Sequence, residues 1–357
     1  MTSANTNSTP PRMYIADMSV VTPIGNTASE LHNNYQNNAV NFVLSDFYTE
    51  QGLQITMGEV DDEQLPSLVK DPSRPKSVYY ARLLKLASQA LNQLSSSSPL
   101  PCLLAMTEQY PSLPKFHPDF AKLLKKQLKE DERKIDWGRF KHYSLGRAGG
   151  FALLDLALKS LNTNIAQQIL VGGIDSYQNT DVIKHLSGRH RLMAEGINGF
   201  VPSEGAGFLR LTLNKNEALI KNGGIIAITP PGLSMENGHL YSEQPNRGQG
   251  LTAAIKQALQ YTDTPIAQVF SCFNGESLSI SENSSALLRN KEKISEKSTE
   301  NSLAKNTGDL GAASGIVLIA NAAEQLSLHG YNQTYLLYTA SDQAHRSAVC
   351  LQFESLT

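Results

Sequence analysis

Cysteine is scarce in this chain: Cys102, Cys272 and Cys350 are the only three in 357 residues. They are scattered, odd in number and lack the short spacings of metal sites. Neither a disulfide framework nor a cysteine-based metal centre is expected, and a reduced, cytoplasmic setting is. Charge of one sign is lacking too. A formal net charge of -2 removes the electrostatic case for nucleic acid or an anionic membrane surface as a partner. No apolar run approaches the roughly 18 residues that span a bilayer. The N-terminal MTSANTNSTPPR has no apolar core of the kind a cleaved export signal requires. Among the eight histidines, His142, His185, His190, His239 and His345 fall in loops or at strand ends, and none pairs at a metal spacing. His185 and His190 are close, in a polar segment where a surface position is the common case. No metal or cofactor is expected.

What is present is a strand–helix rhythm around one stretch, YSLGRAGGFALLDLALKSL at 143 to 161. Gly146, Gly149 and Gly150 allow backbone to pass close to backbone. From Phe151 to Leu161 only Asp155, Lys159 and Ser160 are polar, which predicts a helix buried on more than one face. A sharp strand-to-helix turn is a place where α/β enzymes hold a nucleophile, but the residue at this turn is Arg147.

Core strands are predicted at Met13–Val21, Cys102–Met106, Phe140–Ser144, Ile169–Gly173 and Phe208–Leu213. In the second half they fall at Ile225–Ile228, Val269–Phe273, Thr334–Thr339 and Ala348–Phe353. Helices are predicted from about Ser29, over Ser77–Leu94 and Leu251–Leu259, near Ser285–Arg289, and over Ala312–Leu326. Residues 39 to 74 read as mixed strand and loop, 110 to 135 as a solvated helical excursion, and 290 to 305 as a hydrophilic mobile loop. GRAGGFALLDLALKSL in the first half parallels GDLGAASGIVLIANAAEQL in the second, which implies a duplicated unit with two apolar helices packed at the centre. The organisation expected is a disordered lead-in at 1–12, an N-terminal half at 13–215 and a C-terminal half at 216–357. The fold class is α/β, with mostly parallel sheets.

Several motifs resemble those of β-ketoacyl synthases. VVTPIGN at 20 to 26 is similar to their VVTPLGN opening. LVGGIDS at 170 to 176 resembles the segment after their nucleophile helix, and NGFVPSEGAGFLRL at 198 to 211 resembles their DGFVxGEGAG hairpin. LTAAIKQAL at 251 to 259 resembles the helix before their first catalytic histidine, and GDLGAASG at 308 to 315 is similar to the GHxxGAAG that holds the second. The resemblance covers nearly the whole chain in order. It implies a thiolase-like, five-layered αβαβα fold of two duplicated halves, normally dimeric, with the strand at 140–144 pairing across the interface.

The resemblance also implies where a condensing site should lie, and this sequence departs from it at each part. The nucleophilic cysteine falls on Arg147, a permanent cation with donors only. The first histidine falls on Asn274, in Asn274-Gly275-Glu276, and the second on Asp309, in a motif one residue shorter. The lysine corresponds to Lys305, and the glycine-rich gating loop to Ser341-Asp342-Gln343-Ala344-His345. Arg147 admits two readings. Either it pairs with Asp309 or Glu276 and plugs the old acyl pocket, or it binds a carboxylate or phosphate there. Cys272 reads as a core residue or, in an enzyme hypothesis, as a substitute nucleophile alongside Ser277. His345 could face the pocket. The basic SGRHRL at 187 to 192 reads as a solvated loop or as a contact for the acidic face of an acyl carrier protein. GFVPSEGAG lacks the features of a phosphate loop.

The expectation is therefore a degenerate synthase-like protein without condensing activity. It would be a homodimer, the silent partner in a heterodimer like a chain-length factor, or a protein of the altered kind found beside secretion genes. The alternative is an acyltransferase with a rearranged site acting on acyl carrier protein or acyl-CoA.

Overall fold

The computed structural model describes residues 11–71, 77–110, 119–128, 134–196, 198–329 and 333–356. Most of the lead-in expected at 1–12, and parts of the excursion expected at 110–135, lie outside these.

The first half runs β1 (Met13–Val21), α1 (Ala28–Gln36), β2 (Phe42–Tyr48), β3 (Gln54–Gly58), α2 (Val78–Gln93), β4 (Leu100–Met106), α3 (Phe120–Leu128), β5 (Ile135–Ser144), α4 (Gly149–Asn162), β6 (Gln168–Ser176), α5 (Thr180–Ser187) and β7 (Glu204–Thr212). The second runs β8 (Gly224–Ile228), β9 (Gly232–Met235), α6 (Gln249–Ala258), β10 (Ile266–Ser271), α7 (Ser277–Arg289), β11 (Ile294–Ser302), α8 (Ala304–Thr307), α9 (Ser314–His329), β12 (Thr334–Ala340) and β13 (His345–Ser355).

The two halves share one topology. In the first, β1, β7 and β6 are antiparallel neighbours, and β4 and β5 continue the sheet in parallel. In the second, β8, β13 and β12 are antiparallel, and β10 and β11 continue in parallel. Two residue pairs, Met13 with Ile228 and Tyr14 with Ala227, stitch the halves into one continuous sheet. β9 pairs with β13 off this path, and β2 with β3 forms a separate hairpin.

The strands are apolar on both sides because helices cover both sides. On β4, Cys102, Leu104 and Met106 pack with α2 and α3, whereas Leu103 and Ala105 face α4. On β12, Leu336 and Tyr338 join α6, whereas Tyr335 and Leu337 face inward. The result is five layers: helices, sheet, the central pair α4 and α9, sheet, helices. Every residue of α9 from Ser314 to Ser327 is buried. The central helices approach closely where each has a glycine. A Cβ on Gly150 would lie 3.2 Å from Ile316 Cγ1, and one on Gly315 3.3 Å from Phe151 Cδ1.

One expectation is overturned. The segment placed in a mobile loop at 290–305 contains β11, a nine-residue edge strand parallel to β10. Its polar ISEKSTENS gives no alternation because neither of its faces is deeply buried, and charged side chains on an edge discourage further pairing. α7 is also longer than expected, starting at Ser277. No helix among the described residues is long and apolar enough to cross a membrane.

Candidate functional site

The site forms where four segments meet: the turn between β5 and α4, the connection between α5 and β7, the loop between β10 and α7, and the turn between α8 and α9. The loop between β12 and β13 closes over them. The first turn depends on Gly146, with φ +60°, where a Cβ would lie 2.7 Å from Glu108 Oε2. A single 3₁₀ turn, Gly146–Ala148, then leads into α4 and aims Arg147 inward, where it is 8% exposed.

Arg147 spends its donors on three partners. Nε donates to the Ala340 carbonyl (3.1 Å), Nη1 to Asp309 Oδ2 (2.7 Å), and Nη2 to Asp342 Oδ1. Asp342 also accepts from Arg191, through Nη1 to Oδ2 at 2.6 Å and Nη2 to Oδ1 at 3.0 Å. Arg191 in turn grips Glu276 bidentately, Nε to Oε1 and Nη2 to Oε2, both at 2.7 Å. Asn274 Nδ2 donates to Glu276 Oε2 (3.1 Å) and to Asp309 Oδ2 (2.7 Å). The circuit Asp309–Arg147–Asp342–Arg191–Glu276–Asn274 is thereby closed, with three carboxylates alternating against two guanidinium groups and one amide completing it. Planar, bidentate guanidinium forks suit such an arrangement better than lysine would.

The electrostatics follow from burial and pairing. Burial opposes ionisation of Asp342, but Arg191 and Arg147 outweigh it and hold the carboxyl well below the usual carboxylate range. Burial likewise opposes the charge on Arg147, and Asp309 and Asp342 more than restore it. Glu108 stands just outside the ring. Its Oε2 accepts from the Asp342 amide (2.9 Å) and its Oε1 from the Gln343 amide (2.7 Å). Burial and the neighbouring Asp342 nonetheless raise it to about 7. Ser341 fastens the closing loop to the first turn, donating to the Leu145 carbonyl (2.6 Å) and accepting from the Ala148 amide (2.9 Å).

The structure brings Arg147, Asn274, Glu276 and Asp309 together. Of the other residues singled out in the sequence, Lys305 and His345 lie apart from this group, whereas Cys272 and Ser277 adjoin it. Lys305 is exposed on α8 with its ammonium 5.5 Å above the Tyr35 ring, so it does not reach the ring of charges. His345 begins β13 and faces a separate cavity of about 180 Å³ beside Ala148, Ala152 and Met235. Its pKa is lowered by burial and by Arg346. Cys272 follows the end of β10, with its Sγ 4.0 Å from the Ala340 carbonyl. Burial pushes its thiol up, with Arg147 offsetting only part of this, and the space beside it is about 10 Å³. That is the environment of an inert thiol. Ser277 opens α7.

Two ring members are not marked as such by the sequence. Arg191 falls in the SGRHRL segment, which reads as a solvated loop or carrier contact, yet it is 5% exposed and its guanidinium carbon lies 5.3 Å from the Phe200 ring centroid. Asp342 reads only as part of a replaced loop. The second had a signal, a carboxylate entering the same site as a new arginine. The first had none, because only the fold sets Arg191 across from Arg147. The remaining space at the ring is about 40 Å³, close to one water molecule. Among the described residues, no group of three or more His, Cys, Asp or Glu could hold a metal ion.

No family model and no curated protein matches the sequence. Solved structures match the fold. The ketosynthase from module 6 of the bacillaene synthase of Bacillus subtilis gives a TM-score of 0.75 at 15% identity, covering 97% of this chain and 73% of that one. A ketosynthase in complex with its chain length factor, from Xenorhabdus doucetiae, gives 0.73 at 14% identity over 99% and 100% of the two chains. The ishigamide ketosynthase/chain length factor gives 0.70 at 16% identity over 95% and 99%. The chain has the thiolase-like fold of ketosynthases.

Proposed function

We propose that this chain is a ketosynthase-fold protein that does not condense acyl groups and acts as a structural or regulatory partner. The closed ring of charges carries this reading. Acyl transfer at this turn requires a nucleophile that attacks and then leaves. Arg147 offers only donors, and all of its guanidinium nitrogens are engaged within the protein. Asp309 stands where the resemblance puts a histidine, and a carboxylate there would repel a developing enolate. The halves meet near residue 215 by this reading, and the setting is cytoplasmic.

The partner would be a second copy or a related synthase. β5 ends the sheet and pairs with β4 on one side, so residues 140–144 can extend the sheet across a twofold axis. Solved relatives of this fold include a ketosynthase paired with its chain length factor and an acyl-carrier protein in complex with its ketosynthase. Both arrangements support a heterodimer that handles carrier-bound chains. The test is intact mass spectrometry after incubation with acyl-CoA and with acyl carrier protein. No adduct is expected, and a stoichiometric adduct on Cys272 or Ser277 would establish the acyltransferase reading instead.

A further inference from the structure

The ring leaves a second hollow unfilled. The β2 hairpin, the start of α2, the loop after β4, the end of β5 at Ser144 and the start of α5 line a cleft of about 680 Å³, within the range of roughly 300–1,000 Å³ seen for small-molecule sites. Among the described residues its walls carry five aromatic rings: Phe47, Tyr48, Tyr79, Tyr80 and Tyr110. Two of them are held in place. Tyr79 is 7% exposed, hydrogen-bonds Thr107 Oγ1, and meets Tyr80 edge-on at 5.2 Å between centroids. Tyr110 is 3% exposed and packs against His185 at 5.0 Å. Rings already fixed offer a planar guest contact area at little entropic cost.

Charge narrows the guest. Asp46 and Asp181 are exposed at the cleft, and among the described residues Lys184 is the single cation on its walls. Glu108 forms part of the inner wall, with one oxygen facing each of two backbone amides of the closing loop. Among the described residues carboxylates therefore outnumber cations three to one on these walls, which disfavours phosphates and carboxylates. Glu108 and the loop it holds, whose Asp342 pairs with Arg147, stand between the cleft and Arg147 among the described residues. We infer that this cleft binds a free, neutral aromatic small molecule. The inference rests on the reading of the ring as a closed site.

Two dyes with one ring system test it. N-phenyl-1-naphthylamine is neutral, and 1-anilinonaphthalene-8-sulfonate is its anionic counterpart. On the full chain at pH 7.5 the neutral dye should saturate at one per chain, with a Kd about tenfold below that of the sulfonate. Val78→Trp, at a cleft position 58% exposed, should weaken the neutral dye about tenfold with an unchanged Tm. Leu288→Asn, on the exposed apolar side of α7, should leave it unchanged. Asp46→Lys combined with Asp181→Lys should erase the preference between the dyes. Equal or tighter binding of the sulfonate to the natural sequence, absence of saturation, or indifference to Val78→Trp would each overturn the inference. An acyl adduct in the mass-spectrometric test would defeat the closed-site reading whatever the dyes do, whereas dye failure without an adduct defeats this inference alone.

Discussion

The two duplicated turns, Leu145–Gly150 and Leu310–Gly315, share backbone but not chemistry. Each begins with a leucine, passes a glycine of positive φ, makes one 3₁₀ turn and starts a central helix. LGRAGG aligns with LGAASG, so Arg147 corresponds to Ala312. In the second turn the amides meet carboxylates: Gly311 N–H donates to Asp309 Oδ1 and Ala312 N–H to Asp175 Oδ2, both at 2.8 Å. Anions at the start of a helix are favoured by its dipole. In the first turn a cation occupies the same place, against the dipole, and the Ala148 amide goes to a serine hydroxyl instead. What the first turn loses to the dipole, roughly 0.3–1 kcal/mol, is small beside what Asp309 and Asp342 return as buried partners. The same scaffold thus tolerates opposite charges at its two turns because the surrounding loops supply the complement.

The largest expected effect comes from removing the cation. Arg147→Met leaves Asp309 and Asp342 under-compensated and should cost about 3–5 kcal/mol, read as a drop in the urea midpoint. Arg147→Met with Asp309→Asn should recover a large part of this. A single variant as stable as the natural sequence would show that the ring contributes nothing net.

The glycines come next, and they separate the two turns. A Cβ at position 311 would lie 2.1 Å from Asp175 Oδ2, against 2.7 Å from Glu108 Oε2 at position 146. Both alanine variants carry the left-handed backbone penalty of about 1–2 kcal/mol, and Gly311→Ala should cost more in thermal denaturation, because Asp175 also holds Ala312. Equal losses would mean that backbone conformation alone decides.

Acidity distinguishes the turns more gently. Glu108, beneath the first, is raised to about 7 by burial and Asp342. Asp175, beneath the second, is raised to about 6, chiefly by burial. A carboxyl raised by folding stabilises the native state below its unfolded value and loses that contribution as pH rises through the folded value. Glu108→Gln should flatten the decline in stability between pH 4.5 and 7. Asp175→Asn should flatten it between pH 3.8 and 6. Urea titrations at several pH values read the slopes, and a decline in Glu108→Gln as steep as that of the natural sequence would remove Glu108 as its source. Asp342 has the opposite sign: held low by Arg191 and Arg147, it stabilises above its ordinary value and loses that contribution as pH falls. The smallest effect is at the amide. Asn274→Ala removes three hydrogen bonds, two donated to carboxylates and one accepted from the Glu276 amide, from a ring that keeps its ion pairs, and should cost about 1 kcal/mol.

Much of the frame was legible in the residues. Apolar runs marked the central strands and helices, and GRAGGFALLDLALKSL beside GDLGAASGIVLIANAAEQL marked the duplication that the matching sheet orders display. β11 was not legible, since an edge strand of Ser, Glu, Lys and Asn has no buried face to impose a pattern. At the site, Arg147, Asn274 and Asp309 could be placed on one another by motif, and Lys305 could not, because its placement depends on which way α8 turns its exposed side chain.

Local order and the site's chemical types therefore belong to the sequence itself: propensity, alternation and small residues at helix starts act over a few residues and survive without context. The closed ring belongs to the tertiary structure. Its members come from positions 147, 191, 274, 276, 309 and 342, and only the packing of five layers brings them within hydrogen-bonding distance. Burial then makes each charge dependent on the next.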